Sequence, residues 1–224
     1  MLERELILTF HGLGDQTPPD ATAAERKVWV PVEWFDAIVG ALPADGVTLA
    51  FDDGNCTDAE YALDVLRSRG RKARFFVLAE RVGSPGYLSE DQLGELHEAG
   101  MKIGSHGLRH RDWRGVDDGE LREELVDSRR ALEELLGIEV DEAACPFGSY
   151  DRRVLHGLRE AGYRKVYNSD GGSARAGAWL SPRNTVHREQ ALEHWLALAT
   201  GGAGGAPKWE SPVLVGKRLI KRLR

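Results

Sequence analysis

Three short clusters in this 224-residue chain carry side chains that could do chemistry together. They are Asp52-Asp53-Gly54, the run Ser105-His106 with His110 four residues on, and Cys145 to Tyr150, which reads CPFGSY. Two adjacent aspartates where an apolar run leaves the core are opposed by mutual repulsion and by desolvation. A cation offsets both costs. Two histidines and one carboxylate form a three-ligand site that leaves a position open for water, and zinc accepts it well. Cobalt, nickel or iron could also occupy it. Such a metal acidifies a water and polarises a carbonyl, and a second carboxylate beside it can take the water's proton. One aspartate then binds metal and the other serves as base. Taken singly, each cluster also suits an ordinary turn or a structural histidine pair. Their joint occurrence, each just after an apolar run, is the evidence for a hydrolytic metal site.

The elements that must position them read clearly. Strands are expected at residues 5–11, 47–51, 73–79, 101–106, 140–147, 164–169 and 182–186. Helices are expected at about 33–42, 57–69, 89–100, 118–136, 150–162 and 189–200. The third of these, 89–100, opens with a capping box in SEDQ and closes on glycine. Residues 12–26, rich in Gly, Pro and Asp, read as a long loop. About seven strands alternating with six helices indicate an α/β fold, either a parallel sheet or a (β/α) barrel. In such barrels the C-terminal strand ends carry the site, so three clusters there should converge. Consecutive strand residues point to opposite faces, but a turn at Gly54 can bring both carboxylates to one pocket.

Composition narrows the class. No apolar run approaches the roughly 20 residues that span a bilayer. The start, MLERELILTF, lacks the basic end and long apolar core of an export signal, so a cytoplasmic location is expected. Two cysteines, Cys56 and Cys145, are too few for a disulfide scaffold. The net charge of -6 is uneven: residues 201–224 carry +5 and the remainder -11. An acidic body argues against nucleic acid as a partner. The chain divides into a catalytic domain, 1–200, and a Gly-rich linker with a basic tail, 201–224. As a helix the tail would be amphipathic and basic, which suits peripheral contact with a membrane's inner face.

These motifs resemble the polysaccharide deacetylase family, the NodB-homology carbohydrate esterases of the family 4 type. AFDDG (50–54) matches that family's first motif and SHGLRH (105–110) its second. ACPFG (144–148) matches the third in part. The resemblance runs from about residue 5 to 200. It implies a distorted (β/α) barrel that removes acetyl groups from N-acetylated sugars. Asp52 would be the base, and Asp53, His106 and His110 the metal ligands. The Phe147 N–H would help hold the oxyanion. Three departures stand out. The third-motif arginine that orients the base is replaced by Ala144, and Arg183 is the candidate substitute. The late histidine that acts as acid has only His187 as a counterpart. The fourth motif is absent, with Asp170 near its place.

His11 would line the substrate groove, with Trp113 at the pocket rim, and Pro146, Tyr150 and Arg183 would complete the substrate contacts. The expected activity is metal-dependent removal of an acyl group, acetyl first, from an N-acylated sugar in glycan biosynthesis. A lipid-linked or nucleotide-linked glycan would be the substrate. Rival readings are hydrolysis of a small linear or cyclic amide, and a weakened glycan-binding module.

Overall fold

The computed structural model describes residues 4–15, 17 and 22–201. Beyond Gly201, the expected linker and basic tail lie outside the described residues. The chain folds as an α/β barrel of mostly parallel strands. They are β1 (Arg4–Phe10), β2 (Val47–Phe51), β3 (Ala73–Val77), β4 (Lys102–Ser105), β5 (Glu142–Ala144), β6 (Lys165–Asn168), β7 (Ser173–Arg175), β8 (Leu180–Pro182) and β9 (Asn184–Thr185). The helices are α1 (Ala23–Val28), α2 (Val32–Ala41), α3 (Leu63–Ser68), α4 (Glu90–Glu98), α5 (Asp118–Arg122), α6 (Ser128–Leu136), α7 (Arg152–Glu160) and α8 (Leu192–Gly201). The sheet order is β7-β1-β2-β3-β4-β5-β6-β8, with β9 also parallel to β1. The seam of the barrel lies between β7 and β8.

All seven expected strands are present within a few residues. The last, 182–186, divides between the end of β8 and β9, and one further strand was missed. β7 pairs antiparallel with β1, setting Arg175 opposite Arg4. Three residues, Ser-Ala-Arg, just after a pair of glycines give too little pattern to see. α1 was also missed inside the expected 12–26 loop, although Thr22 and Glu25 form a capping box there. The expected helix at 118–136 is continuous but passes through a π-helical stretch, Glu123–Asp127, between α5 and α6. A second π-helical stretch, Asp58–Ala62, precedes α3.

Strand alternation builds two cores. Leu6, Leu8, Phe10, Leu49, Phe51 and Phe75 face the helices. Phe51 stacks on Phe75 with centroids 4.7 Å apart. The alternate residues Ile7, Ala50 and Phe76 join Ala144, Tyr167 and Ala174 in a separate interior cluster. Asp52 is two residues beyond Ala50, so strand periodicity aims it at the mouth of that interior.

Candidate active site

Asp52 follows β2, and its N–H donates to the Phe10 carbonyl at 2.9 Å. Asp53 would point the other way in an extended strand. Its φ of +75° turns it back, so both carboxylates serve one pocket. Left-handed backbone at a non-glycine residue is strained and clusters at functional sites. Among non-glycine residues described, it occurs at Asp53, His110 and Phe147. All three belong to the motifs singled out in the sequence.

Asp53 Oδ1 lies 3.5 Å from His106 Nε2 and 3.5 Å from His110 Nε2. One ligand atom from each of the three residues lies within 4.8 Å of the others. His106 Nδ1 sits 2.9 Å from the Ala144 carbonyl, which makes it the protonated nitrogen. Its Nε2 therefore presents a lone pair toward Asp53. Burial pushes the His106 pKa down to about 3, against the pull of Asp52, so the ring is neutral. Burial also lowers His110. Burial pushes Asp53 up to about 6, and the charge of Asp52 adds to this while His11 opposes it. Asp53 Oδ1 is buried and accepts no hydrogen bond. Lone pairs facing one another without a proton between them are the signature of a cation site. These three residues fit a divalent metal, with the Ala144 carbonyl fixing one ligand ring from behind.

Asp52 has different neighbours. Arg183 Nη1 and Nη2 donate to Asp52 Oδ1 and Oδ2, each at 2.6 Å. Burial raises the carboxyl, but Arg183, His106 and His11 outweigh it and hold Asp52 well below the usual carboxylate range. The Arg183 guanidinium lies over Phe76, 5.1 Å from the ring centroid, and over Tyr167 at 5.8 Å. Arg183 therefore enters from the β8–β9 side above a cluster in which Ala144 is small. Its fork grips Asp52 from inside the barrel, and its burial leaves no exposed face for a substrate contact.

His11 reaches the same carboxylate, with Nε2 3.7 Å from Asp52 Oδ2. Asn55 Nδ2 anchors the His11 carbonyl at 2.7 Å. His187 stands apart. It lines a cavity of about 310 Å³ with Asp170, Gln190 and Trp195. Arg183 borders that cavity, but no ion pair joins His187 to Asp52 or Asp53 among the described residues. His187 instead packs edge-on against Trp195 at 5.5 Å.

Three more of the expected substrate contacts are buried instead. Trp113 is 0% exposed, not at a rim. Its indole N–H donates to Glu124 Oε2 at 3.4 Å. Tyr150 is 1% exposed, and its hydroxyl donates to Asp170 at 2.6 Å. Pro146 is also buried, and it opens the 3₁₀ turn that presents Phe147. Phe147 itself is 66% exposed and lies 4.4 Å from the His110 ring.

Glu124 is a residue the sequence reading missed. It is buried, and its carboxylate accepts from the N–H groups of Leu108 (2.8 Å) and Arg109 (3.1 Å) as well as from Trp113. These bonds clamp the loop that carries His110. Gly107 passes so close that a Cβ there would sit 2.5 Å from Glu124 Oε2. The available signal was an acid within the apolar stripe of Leu121, Leu125 and Leu132.

The strand ends of this α/β barrel carry an Asp-His-His trio that could hold a metal ion, beside an arginine-paired carboxylate. Comparison with known proteins gives the family. The model described as polysaccharide deacetylase matches residues 40–166, more than half the chain. This chain belongs to the polysaccharide deacetylase family. A chitin deacetylase of Pestalotiopsis sp is 29% identical over 142 residues, 63% of this chain and 47% of that protein. A peptidoglycan-N-acetylglucosamine deacetylase of Bacillus cereus is 31% identical over 121 residues, 54% of each chain. The chain spans about half the length of the curated relatives it matches. The Streptococcus pyogenes deacetylase PplD, solved in complex with acetate, shares the fold at a TM-score of 0.75 and 22% identity. That match covers 86% of this chain and 96% of that one.

Proposed function

We propose that this chain is a metal-dependent hydrolase that removes the acetyl group from an N-acetylated sugar. The observation that carries this reading is the set of converging lone pairs of Asp53, His106 and His110 beside an arginine-bound Asp52. The family and the names of its relatives, one for chitin and one for peptidoglycan N-acetylglucosamine, support the substrate class. Asp53, His106 and His110 would hold a divalent metal, zinc first, which would supply Lewis acidity at the amide carbonyl; Asp52 takes the proton of the attacking water. Arg183 keeps Asp52 ionised and fixes its plane. The Phe147 N–H is the oxyanion donor. His11, close to Asp52, gives a proton to the departing amine as the C–N bond breaks, leaving acetate and a free amino sugar. His187 is the competing choice for that acid. A lipid-linked or nucleotide-linked glycan, met at a membrane's inner face through the basic tail, is the form of substrate we propose for the full chain.

The test is acetate release from N-acetylglucosamine oligomers by chelated protein and by the same protein after zinc, cobalt or nickel is returned. We expect activity only with metal, and none from Asp52→Asn. Turnover that survives chelation would overturn the metal role. No turnover with any metal would overturn the deacetylase reading.

A further inference from the structure

Between α5 and α6 the helix widens into a π turn, Glu123–Asp127. At its end the Ser128 N–H donates to the Glu123 carbonyl, five residues back rather than four. The Glu124 carbonyl takes the Ser128 hydroxyl at 2.5 Å. The next carbonyl, that of Leu125, takes the Tyr163 hydroxyl at 2.9 Å. Burial pushes the Tyr163 hydroxyl up to about 12, so it keeps the proton it donates. Turns of this kind are rare and concentrate at functional sites. This one carries Glu124.

Two strings of hydrogen bonds run from this turn to the segment that bears His106 and His110. In the first, the Glu124 carboxylate takes the N–H groups of Leu108 and Arg109, the two residues before His110. The second runs through hydroxyls. The Gly107 N–H donates to Ser105 Oγ at 3.0 Å, and Ser105 Oγ lies 3.0 Å from Ser128 Oγ. Ser128 has one hydroxyl proton, already given to the Glu124 carbonyl, so Ser105 is the donor in that pair. Ser105 and Gly107 flank His106 in the chain. One turn of helix thus holds the backbone on either side of His106 and immediately before His110. Ser105, Glu124, Ser128 and Tyr163 are all buried, so water does not replace a bond that is lost.

We propose that the π turn is a positioning device for the metal site, with Ser128 and Tyr163 as positioning residues for His106 and His110. Neither is itself a ligand. Ser128 acts on both strings, through the Ser105 hydroxyl and through the Glu124 backbone. Tyr163 acts through Glu124, by holding the neighbouring carbonyl in the widened turn. The inference rests on the reading of Asp53, His106 and His110 as metal ligands, and it adds two remote hydroxyls to what that site needs.

Two measurements on full-length wild type, Tyr163→Phe and Ser128→Ala test this. One is zinc affinity against a competing chelator, and the other is amide hydrogen exchange in chelated protein. A partner that directly supports a metal ligand is worth about 10- to 100-fold in affinity, and these hydroxyls act one link further out. Each variant should therefore bind zinc about threefold to tenfold more weakly. Adding Tyr163→Phe to Glu124→Ala should weaken zinc no further, because the carboxylate through which it acts is gone. In chelated protein the Leu108 and Arg109 amides should exchange faster in both single variants, with the amides of β2 unchanged. Zinc affinity unchanged in both, or Leu108 and Arg109 amides no faster than in wild type, would overturn the device. So would a further loss in the double variant, or equal acceleration across β2, which mark general loosening of the fold. Wild type that binds no zinc would sink the metal reading instead, and amide exchange would still decide whether the turn holds the loop.

Discussion

Arg183 and Asp52 meet through two parallel 2.6 Å bonds, although 131 residues separate them in the chain. Both side chains are essentially excluded from solvent, at 0% and 2% exposure. A buried pair of this kind is costly to break, because the surviving charge is left without a partner. Arg183→Met should therefore destabilise the protein by about 3–5 kcal/mol at pH 7. Arg183→Lys should recover part of that stability, since it keeps the charge. It should not recover activity, because an ammonium cannot reproduce the planar fork that orients Asp52. Denaturant unfolding and acetate release on the three proteins separate these effects. The folded Asp52 carboxyl lies below its ordinary 3.8, so its stabilisation holds above that pH and fades as pH falls below it. Arg183→Met should lose that acid-side dependence.

Asp53 shows the opposite sign. Its folded carboxyl is raised to about 6 from an ordinary 3.8, so its ionised form costs stability when no cation is bound. That cost is full above pH 6 and disappears as pH falls toward 4. Neutral His106, lowered to about 3, pulls overall stability the other way over the same range, so the wild-type curve alone is uninformative. The difference between variants isolates Asp53. In chelated protein, Asp53→Asn should be more stable than wild type at pH 7 by on the order of 2–3 kcal/mol. The advantage should shrink steadily between pH 6 and pH 4. With zinc in excess the order should reverse at pH 7, because binding stabilises only the form that has the ligand. Thermal melts at several pH values, with and without metal, measure both.

The site was legible in the sequence to the extent that its chemistry needs particular residues at fixed local spacings. Asp52, Asp53, His106 and His110 sit next to strand ends that have strong apolar patterns, and the structure brings them together. Arg183 was visible only as a candidate, because its contact with Asp52 depends on β8 and β9 closing over an interior that Ala144 leaves open. Trp113 and Tyr150 misled for a related reason. An aromatic residue beside a motif looks the same in sequence whether it faces a ligand or a neighbouring carboxylate. Their partners, buried Glu124 and half-buried Asp170, lie 11 and 20 residues further along the chain, and nothing in that spacing marks them as partners. The strand β7 and helix α1 were missed because three and six residues carry too little periodicity.

Glu124 is the least obvious residue on which the metal site depends. Removing its carboxylate leaves the N–H groups of Leu108, Arg109 and Trp113 without their acceptor. Glu124→Ala should cost about 2–4 kcal/mol of stability. A purely structural role would stop there. A positioning role for the His110 loop also predicts a 10- to 100-fold loss of metal affinity in the protein that remains folded. Glu124→Gln keeps one acceptor oxygen and should fall between. Zinc titration against a competing chelator reads the affinity, and an unchanged value in Glu124→Ala would remove the loop from the account of metal binding.

His11 and His187 are rivals for the proton delivered to the leaving amine, and their surroundings make different predictions. His11 stands 3.7 Å from Asp52 and is 17% exposed on its side chain, so it has both the reacting centre and a route to solvent protons. His187 borders the cavity on the far side of Arg183, against Trp195. An acid that acts on the leaving group affects kcat and leaves KM nearly alone, with general acid–base catalysis worth about 10²–10⁴-fold. His11→Ala should therefore lose kcat on that scale. His187→Ala should change kcat by less than about tenfold. A substrate whose leaving amine needs no protonation, an activated acetyl anilide, supplies the discriminating measurement. Loss of the acid should matter little for it, so His11→Ala should retain most of its turnover there while failing on the sugar. If His187→Ala shows that contrast and His11→Ala does not, the proton comes through the Arg183 side of the pocket.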